Sequence, residues 1–254
     1  MTRDVSAFFG RFGWPRGLTR LPLCIGHRGA SGHRTENTLE AFELASRLGA
    51  EMWELDTQLS RDGVVMVSHD DHLERVFRKD LHISQLTAAE LREAVPEVPT
   101  FGEVAALARR LGTGLYIELK APGSGLLCWR ELMLHNQRFA CLGSFDPQQV
   151  RELRDSGCDY PLSVLIRVGH DPHGLGDRAG ADILHLCWER AGERPQDLVT
   201  QALMEKAFRM GREIVLWHEE RPAILSDIMA LPVLGICTDL PELMRPHQKQ
   251  AASA

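Results

Sequence analysis

Short apolar runs alternate with longer amphipathic stretches along the chain. Runs rich in aliphatic and β-branched residues occupy 23–26, 51–58, 64–69, 115–120, 139–144, 162–167, 183–188, 214–217 and 234–238, and they predict strands. Between them the pattern predicts helices over 37–48, 88–94, 101–111, 126–136, 147–156, 195–210 and 224–230. In the first of these Leu39, Phe42, Ala45 and Leu48 fall on one face. Gly49, Gly112, Gly157 and Gly211 follow helical runs, where a left-handed cap is cheapest for glycine. Pro147 and Pro195 stand just inside helix starts, with Asp146 placed to cap the first.

Strands alternating with helices across one stretch of this length fit parallel βαβ units. With 64–69 set aside as a hairpin partner, about eight main strands remain, and they predict a single-domain (β/α)8 barrel over 20–246. Residues 1–19 and 247–254 read as terminal extensions. A doubly wound open sheet is the alternative, but no glycine-rich phosphate fingerprint follows the first strand.

Composition narrows the function classes. The 254 residues are 44% hydrophobic and 25% charged, with a net charge of −6, which disfavours a general nucleic-acid or anionic-membrane binder. No apolar run approaches the roughly 18 residues of a spanning helix, so no membrane insertion is expected. Six cysteines are scattered with no C-x-x-C pair and read as small buried hydrophobes. Gly10, Arg11 and Gly13 interrupt any apolar core of a leader, so a cytoplasmic setting is expected.

In such a barrel, reacting side chains stand at the carboxyl ends of strands. His27 and Arg28 follow the first strand in GHRG, and EMWELD places Glu54 and Asp56 on one face of the second. His69 and Asp70 end VVMVSHD, and Glu118 and Lys120 share a face of LYIELK. Trp217 and His218 end the seventh strand, and Thr238 and Asp239 the eighth. Each has a plainer reading. A single histidine after a strand is more often a hydrogen-bonded turn residue than a catalyst. Glu118 with Lys120 also fits a structural ion pair. In EMWELD, Met52 has the parity of the two acids while Trp53 and Leu55 have the other, and a barrel strand is covered on both faces. Taken together, three carboxylates offer hard oxygen ligands for Mg²⁺ or Ca²⁺. Two cations and two histidines complete the equipment of phosphoryl transfer.

The motifs resemble the glycerophosphodiester phosphodiesterase family in order along nearly the whole domain. They are GHRGASGHRTENTLEAFELASRLGAEMWELDTQLSRDGVVMVSHDDHLER, VPTFGEV, YIELK, SFD and LGICTDLPELM. The resemblance implies a (β/α)8 barrel that uses a divalent metal to hydrolyse small-molecule glycerophosphodiesters to glycerol phosphate and an alcohol. It makes His27 and His69 the acid/base pair, and Glu54, Asp56 and Glu118 the metal ligands. Arg28 and Lys120 become the phosphate-binding cations, and Trp217 lines the substrate end. The chain departs from the family pattern at Thr35, where proline is usual, and at Trp217-His218-Glu219-Glu220, where Trp-Thr-Val-Asn is usual. The segment 70–99 is a compact insertion without the usual glycine-rich turn. Two other functions fit the same barrel: cleavage of lysophospholipid or sphingolipid head groups, and phosphodiester binding without turnover.

Overall fold

The computed structural model describes residues 4–15, 17–18 and 21–245. Its strands are β1 (Leu23–Gly26), β2 (Met52–Leu59), β3 (Val65–Val67), β4 (Gly114–Leu119), β5 (Ala140–Ser144), β6 (Leu162–Arg167), β7 (Ile183–Cys187), β8 (Glu213–His218) and β9 (Gly235–Thr238). Eight of them run parallel in the order β1-β9-β8-β7-β6-β5-β4-β2, and β1 closes the ring by pairing with β2 at Ile25–Met52 and Gly26–Trp53. β3 lies outside the ring, antiparallel on β2. This is the (β/α)8 barrel expected from the alternation, with the 64–69 run as the hairpin partner.

Alternation along each strand divides the core in two. Trp53, Leu55, Leu115, Ile117, Leu184 and Leu186 face the helix layer and join its large cluster. Ile25, Met52, Tyr116, Ile183 and Val215 face the axis and form a second cluster. The question left open by EMWELD is thereby answered: Glu54 and Asp56 share the inward parity of Met52.

Several elements differ from expectation. The helix predicted from residue 37 starts two residues later, as Leu39–Leu48, because the Thr38 side chain caps it by accepting from Ala41 N–H. The long helix predicted over 195–210 is a 3₁₀ turn, Pro195–Leu198, and a separate helix, Gln201–Arg209, capped by Thr200. Ser6–Phe12, the short Glu74–Phe77 and Pro172–Ala179 are helices that were not predicted, the last because Gly174 and Gly176 weaken its propensity. Gly176 is there for room: a Cβ on it would lie 2.7 Å from Leu184 Cδ2. Within 70–99, Leu73, Ile83, Leu91, Val95 and Val98 pack with Met66 as a small core of their own.

The leading stretch holds a helix rather than trailing free. Ser6–Phe12 buries Phe8, Phe9 and Phe12, and these pack with Trp14 against Leu23, Met52, Phe139 and Leu234 at the amino ends of the strands. Trp14 also donates its indole N–H to the Ala140 carbonyl at 3.3 Å. The extension read at 247–254 lies outside the described residues. Trp14→Ala should destabilise the barrel by about 3–5 kcal/mol, as for other buried aromatic truncations. Denaturant unfolding checks this, and an unchanged midpoint would show that the helix is not part of the folded unit.

Candidate active site

Register brings the acids together. Asp56 of β2 pairs directly with Glu118 of β4, and Glu54 is one inward position before Asp56. One oxygen from each of Glu54, Asp56 and Glu118 lies within 4.8 Å of the others, and all three residues are buried. Lys120 Nζ is 2.6 Å from Glu118 Oε1 and 3.2 Å from Asp56 Oδ1. The ion pair that Glu118-x-Lys120 suggested is therefore formed, and it is part of the acidic cup. Arg28 closes the other side: Nε is 3.2 Å from Asp56 Oδ2, and Nη1 donates to Glu36 Oε1 at 2.9 Å. Its backbone N–H donates to Glu54 Oε2 at 3.0 Å.

The turns that aim these groups are constrained. Arg28 (φ +55°) and Asn37 (φ +59°) both adopt the left-handed conformation, which costs energy for a side chain and is found at functional sites. Asn37 uses it to donate Nδ2–H to Asp56 Oδ2 at 2.9 Å and to accept the Asp56 N–H at 3.3 Å. Gly29 has φ +86°, and a Cβ on it would meet the Ala41 backbone at 2.7 Å, so GHRG needs its second glycine.

Crowding three acids has an electrostatic consequence. Burial, reinforced by the charge of Asp56, pushes Glu54 well above the carboxylate range and Glu118 up to about 7. Burial acts on Asp56 in the same sense, but Lys120 and Arg28 outweigh it and hold Asp56 at about 2. Asp56 Oδ1 is buried, with the Lys120 ammonium at 3.2 Å. An all-oxygen donor set with mutual repulsion fits a hard divalent cation. With all three acids ionised, as metal ligands would be, they leave one negative charge against Arg28 and Lys120. A divalent ion would make that one positive charge, the complement of a phosphodiester.

Both histidines are held alike. His27 Nδ1 lies 2.6 Å from Asp239 Oδ1, and His69 Nδ1 lies 2.6 Å from Asp70 Oδ1, so each ring leaves Nε2 for other work. Burial lowers the His27 pKa, with the hydrogen bond that His27 donates to Asp239 opposing and the nearby His218 and Arg28 assisting. Asp239 also accepts from Ser31 Oγ at 2.9 Å. Asp70 is fixed by Arg75 Nε at 2.5 Å. Arg75 also grips Glu36 at 2.6 and 3.0 Å, and Glu36 in turn holds Arg28. The compact insertion thus supports the cup through one arginine.

A cavity of about 250 Å³ lies over this arrangement, lined by His27, Arg28, Glu54, His69, Glu118, Lys120 and Trp217. Of the eight residues to which the resemblance gave roles, Asp56 alone is not in its lining, being fully buried. Trp217 is only 1% exposed, and its indole N–H is committed to Glu219 Oε2 at 3.1 Å. It therefore offers the cavity ring surface and no donor. A β-bulge between Leu216 and His218 re-aims the end of β8, and His218 stacks flat on His27 with centroids 4.4 Å apart. Sequence reasoning gave no role to Asn37, Glu36 or Arg75, and it noted Asp239 without pairing it. The pairing spans 212 residues, so only the strand-end position of Asp239 pointed to it.

A closed barrel with an acidic cup, two embedded cations and two histidine–aspartate pairs around one cavity has the equipment of a phosphoryl-transfer enzyme. The chain belongs to the Glycerophosphoryl diester phosphodiesterase family, whose model matches residues 27–243, and it is a phosphoric diester hydrolase. It is 26% identical over 240 residues to the glycerophosphodiester phosphodiesterase of Caldanaerobacter subterraneus subsp. tengcongensis, covering 87% of this chain and 96% of that one. The crystal structure of the glycerophosphodiester phosphodiesterase from Thermotoga maritima superposes with a TM-score of 0.75 at 27% identity, covering 88% of this chain and 97% of that one. A shorter match, 48% identical over 65 residues, is to a lysophospholipase D of Mus musculus, covering 26% of this chain and 20% of that protein. No helix among the described residues is long and apolar enough to cross a membrane.

Proposed function

We propose that this enzyme hydrolyses glycerophosphodiesters to glycerol phosphate and an alcohol, with Glu54, Asp56 and Glu118 holding one Mg²⁺ or Ca²⁺. His27 and His69 move the protons. The observation that carries this reading is the convergence of three buried carboxylates within 4.8 Å, beside two histidines whose Nδ1 atoms are already committed to aspartates. When bound, the metal supplies Lewis-acid stabilisation of charge on the phosphate oxygens.

The chain's own residues do the rest. Arg28 and Lys120 stand over the acids in the cavity wall and stabilise charge on the non-bridging oxygens. One histidine takes a proton from the attacking hydroxyl, which is that of water or of the glycerol moiety; in the second case the alcohol leaves a cyclic phosphate that water then opens to glycerol phosphate. The other histidine gives a proton to the departing alkoxide, so protons balance across the step. Burial keeps His27 neutral near pH 7, the form that accepts a proton. Asp239 and Asp70 fix the ring orientations in the manner of a triad's third member. The six cysteines are free, which agrees with a reducing, cytoplasmic setting.

The test is a panel of glycerophosphocholine, glycerophosphoethanolamine and lysophosphatidylcholine, assayed after chelation and after return of Mg²⁺, Ca²⁺ or Mn²⁺. Release of glycerol phosphate should vanish on chelation and return with Mg²⁺ or Ca²⁺. Full activity in the stripped enzyme would refute the metal assignment. Preference for lysophosphatidylcholine would favour the second reading, head-group cleavage of lysophospholipids, which the short match to a lysophospholipase D supports.

A further inference from the structure

The same cavity holds a polar group that the proton transfers leave unused. His185 sits on β7 between Leu184 and Leu186, which face the helix layer, so it shares the inward face with Ile183. It lines the cavity with Leu165, Cys187 and Cys237, and it is only 4% exposed. The Tyr116 ring meets it edge-on at 5.1 Å. Its Nε2 lies 3.9 Å from Cys237 Sγ, while its Nδ1 is buried with no hydrogen-bond partner. Its inward register partners, Leu165 and Val215, are apolar, so packing alone gives no reason for an imidazole here.

The ring's protonation follows from its surroundings. Burial, with His27 and His218 nearby, drives the His185 pKa down to about 3, so the ring is neutral. Burial also holds the Cys237 thiol well above its usual pKa. A kept thiol hydrogen can be donated to Nε2, and that tautomer puts the ring proton on Nδ1. A buried ring nitrogen without a partner, in the wall of a catalytic cavity, calls for a polar atom from the ligand.

We propose that His185 Nδ1 donates a hydrogen bond to a hydroxyl of the substrate's glycerol moiety, seating that half of the diester against the β7 wall of the cavity. Arg28 and Lys120 meet the phosphate oxygens, and Leu165 and Cys237 offer the glycerol carbons apolar contact beside the one donor. The inference rests on the glycerophosphodiester reading and names which wall of the site reads glycerol.

Two esters with the same leaving group test it: glyceryl p-nitrophenyl phosphate and ethyl p-nitrophenyl phosphate, assayed with Mg²⁺. The wild-type enzyme should favour the glyceryl ester. His185→Leu should lower that preference in kcat/KM by about tenfold or more, mainly through KM, and leave the ethyl ester unaffected. His185→Asn places an amide where Nδ1 sits and should keep the preference, whereas His185→Gln reaches the Nε2 position and should lose it. This contrast carries the test if the leucine variant fails to fold. An equal fall on both esters, or an unchanged ratio in the leucine and glutamine variants, would overturn the proposal. A wild-type enzyme that cleaves both esters without preference would overturn it too, with the phosphodiesterase reading intact. Cleavage of neither ester would remove both.

Discussion

His27→Ala and His69→Ala are each expected to lower kcat on a glycerophosphodiester by at least about 100-fold, with a smaller effect on KM. The two rings share one construction, Nδ1 on an aspartate and a place in the cavity wall. Losing either removes one of two proton transfers that the reaction needs. Alanine leaves the acidic cup intact, since neither histidine is among its three converging carboxylates. Metal-dependent thermal stabilisation should therefore survive in both variants, which separates lost chemistry from lost folding. The pH profile adds a sign. Burial holds the His27 pKa below its usual 6.5, against the pull of Asp239. If His27 accepts the proton, the acid limb of the activity profile should lie below pH 6.5, where that lowered pKa falls. Near-native rates in both alanine variants would end the assignment.

Much of this site was legible because barrel strands impose a strict period of two. Glu54, Asp56, Glu118 and Lys120 were selected by strand-end position and parity, and closure of the ring set Asp56 beside Glu118. Period alone could not choose the face. That choice came from Met52, which packs inward with the first-turn aromatics, and from Trp53, which stacks on Phe42 in the helix layer. What stayed hidden depended on contacts between distant segments. Asp239 meets His27 across the whole chain, and Arg75 links Asp70 to Glu36 through the insertion. Asn37 was counted as a helix residue because its left-handed turn leaves no trace in hydrophobic periodicity. The Pro172–Ala179 helix was missed for the opposite reason. Its glycines lower propensity, yet tertiary packing against Leu184 requires one of them.

The acidic cup also explains why stability and activity should part company here. Glu118→Gln is expected to abolish metal-dependent turnover, lowering kcat/KM by about 10³-fold, the scale of several kcal/mol of lost charge stabilisation. The same substitution should raise the melting temperature of the metal-free protein at pH 8. Burial and the charge of Asp56 lift the Glu118 pKa from an ordinary 4.5 to about 7, so the folded state disfavours its ionised form. Below about pH 4.5 the group is protonated folded or unfolded and costs nothing. As pH rises the unfolded chain ionises first, so stability is lost progressively, and the penalty is complete above about pH 7. Glutamine keeps the shape and removes that penalty, although Lys120 gives up its 2.6 Å partner and retains Asp56. Metal should then no longer shift the melting temperature, whereas in the wild type it should bind the folded state and stabilise it by mass action. Thermal melts with and without Mg²⁺ or Ca²⁺ at pH 4.5 and pH 8 give the four values needed. A variant less stable than wild type at pH 8 without metal would show that the Lys120 ion pair outweighs the crowding of the acids.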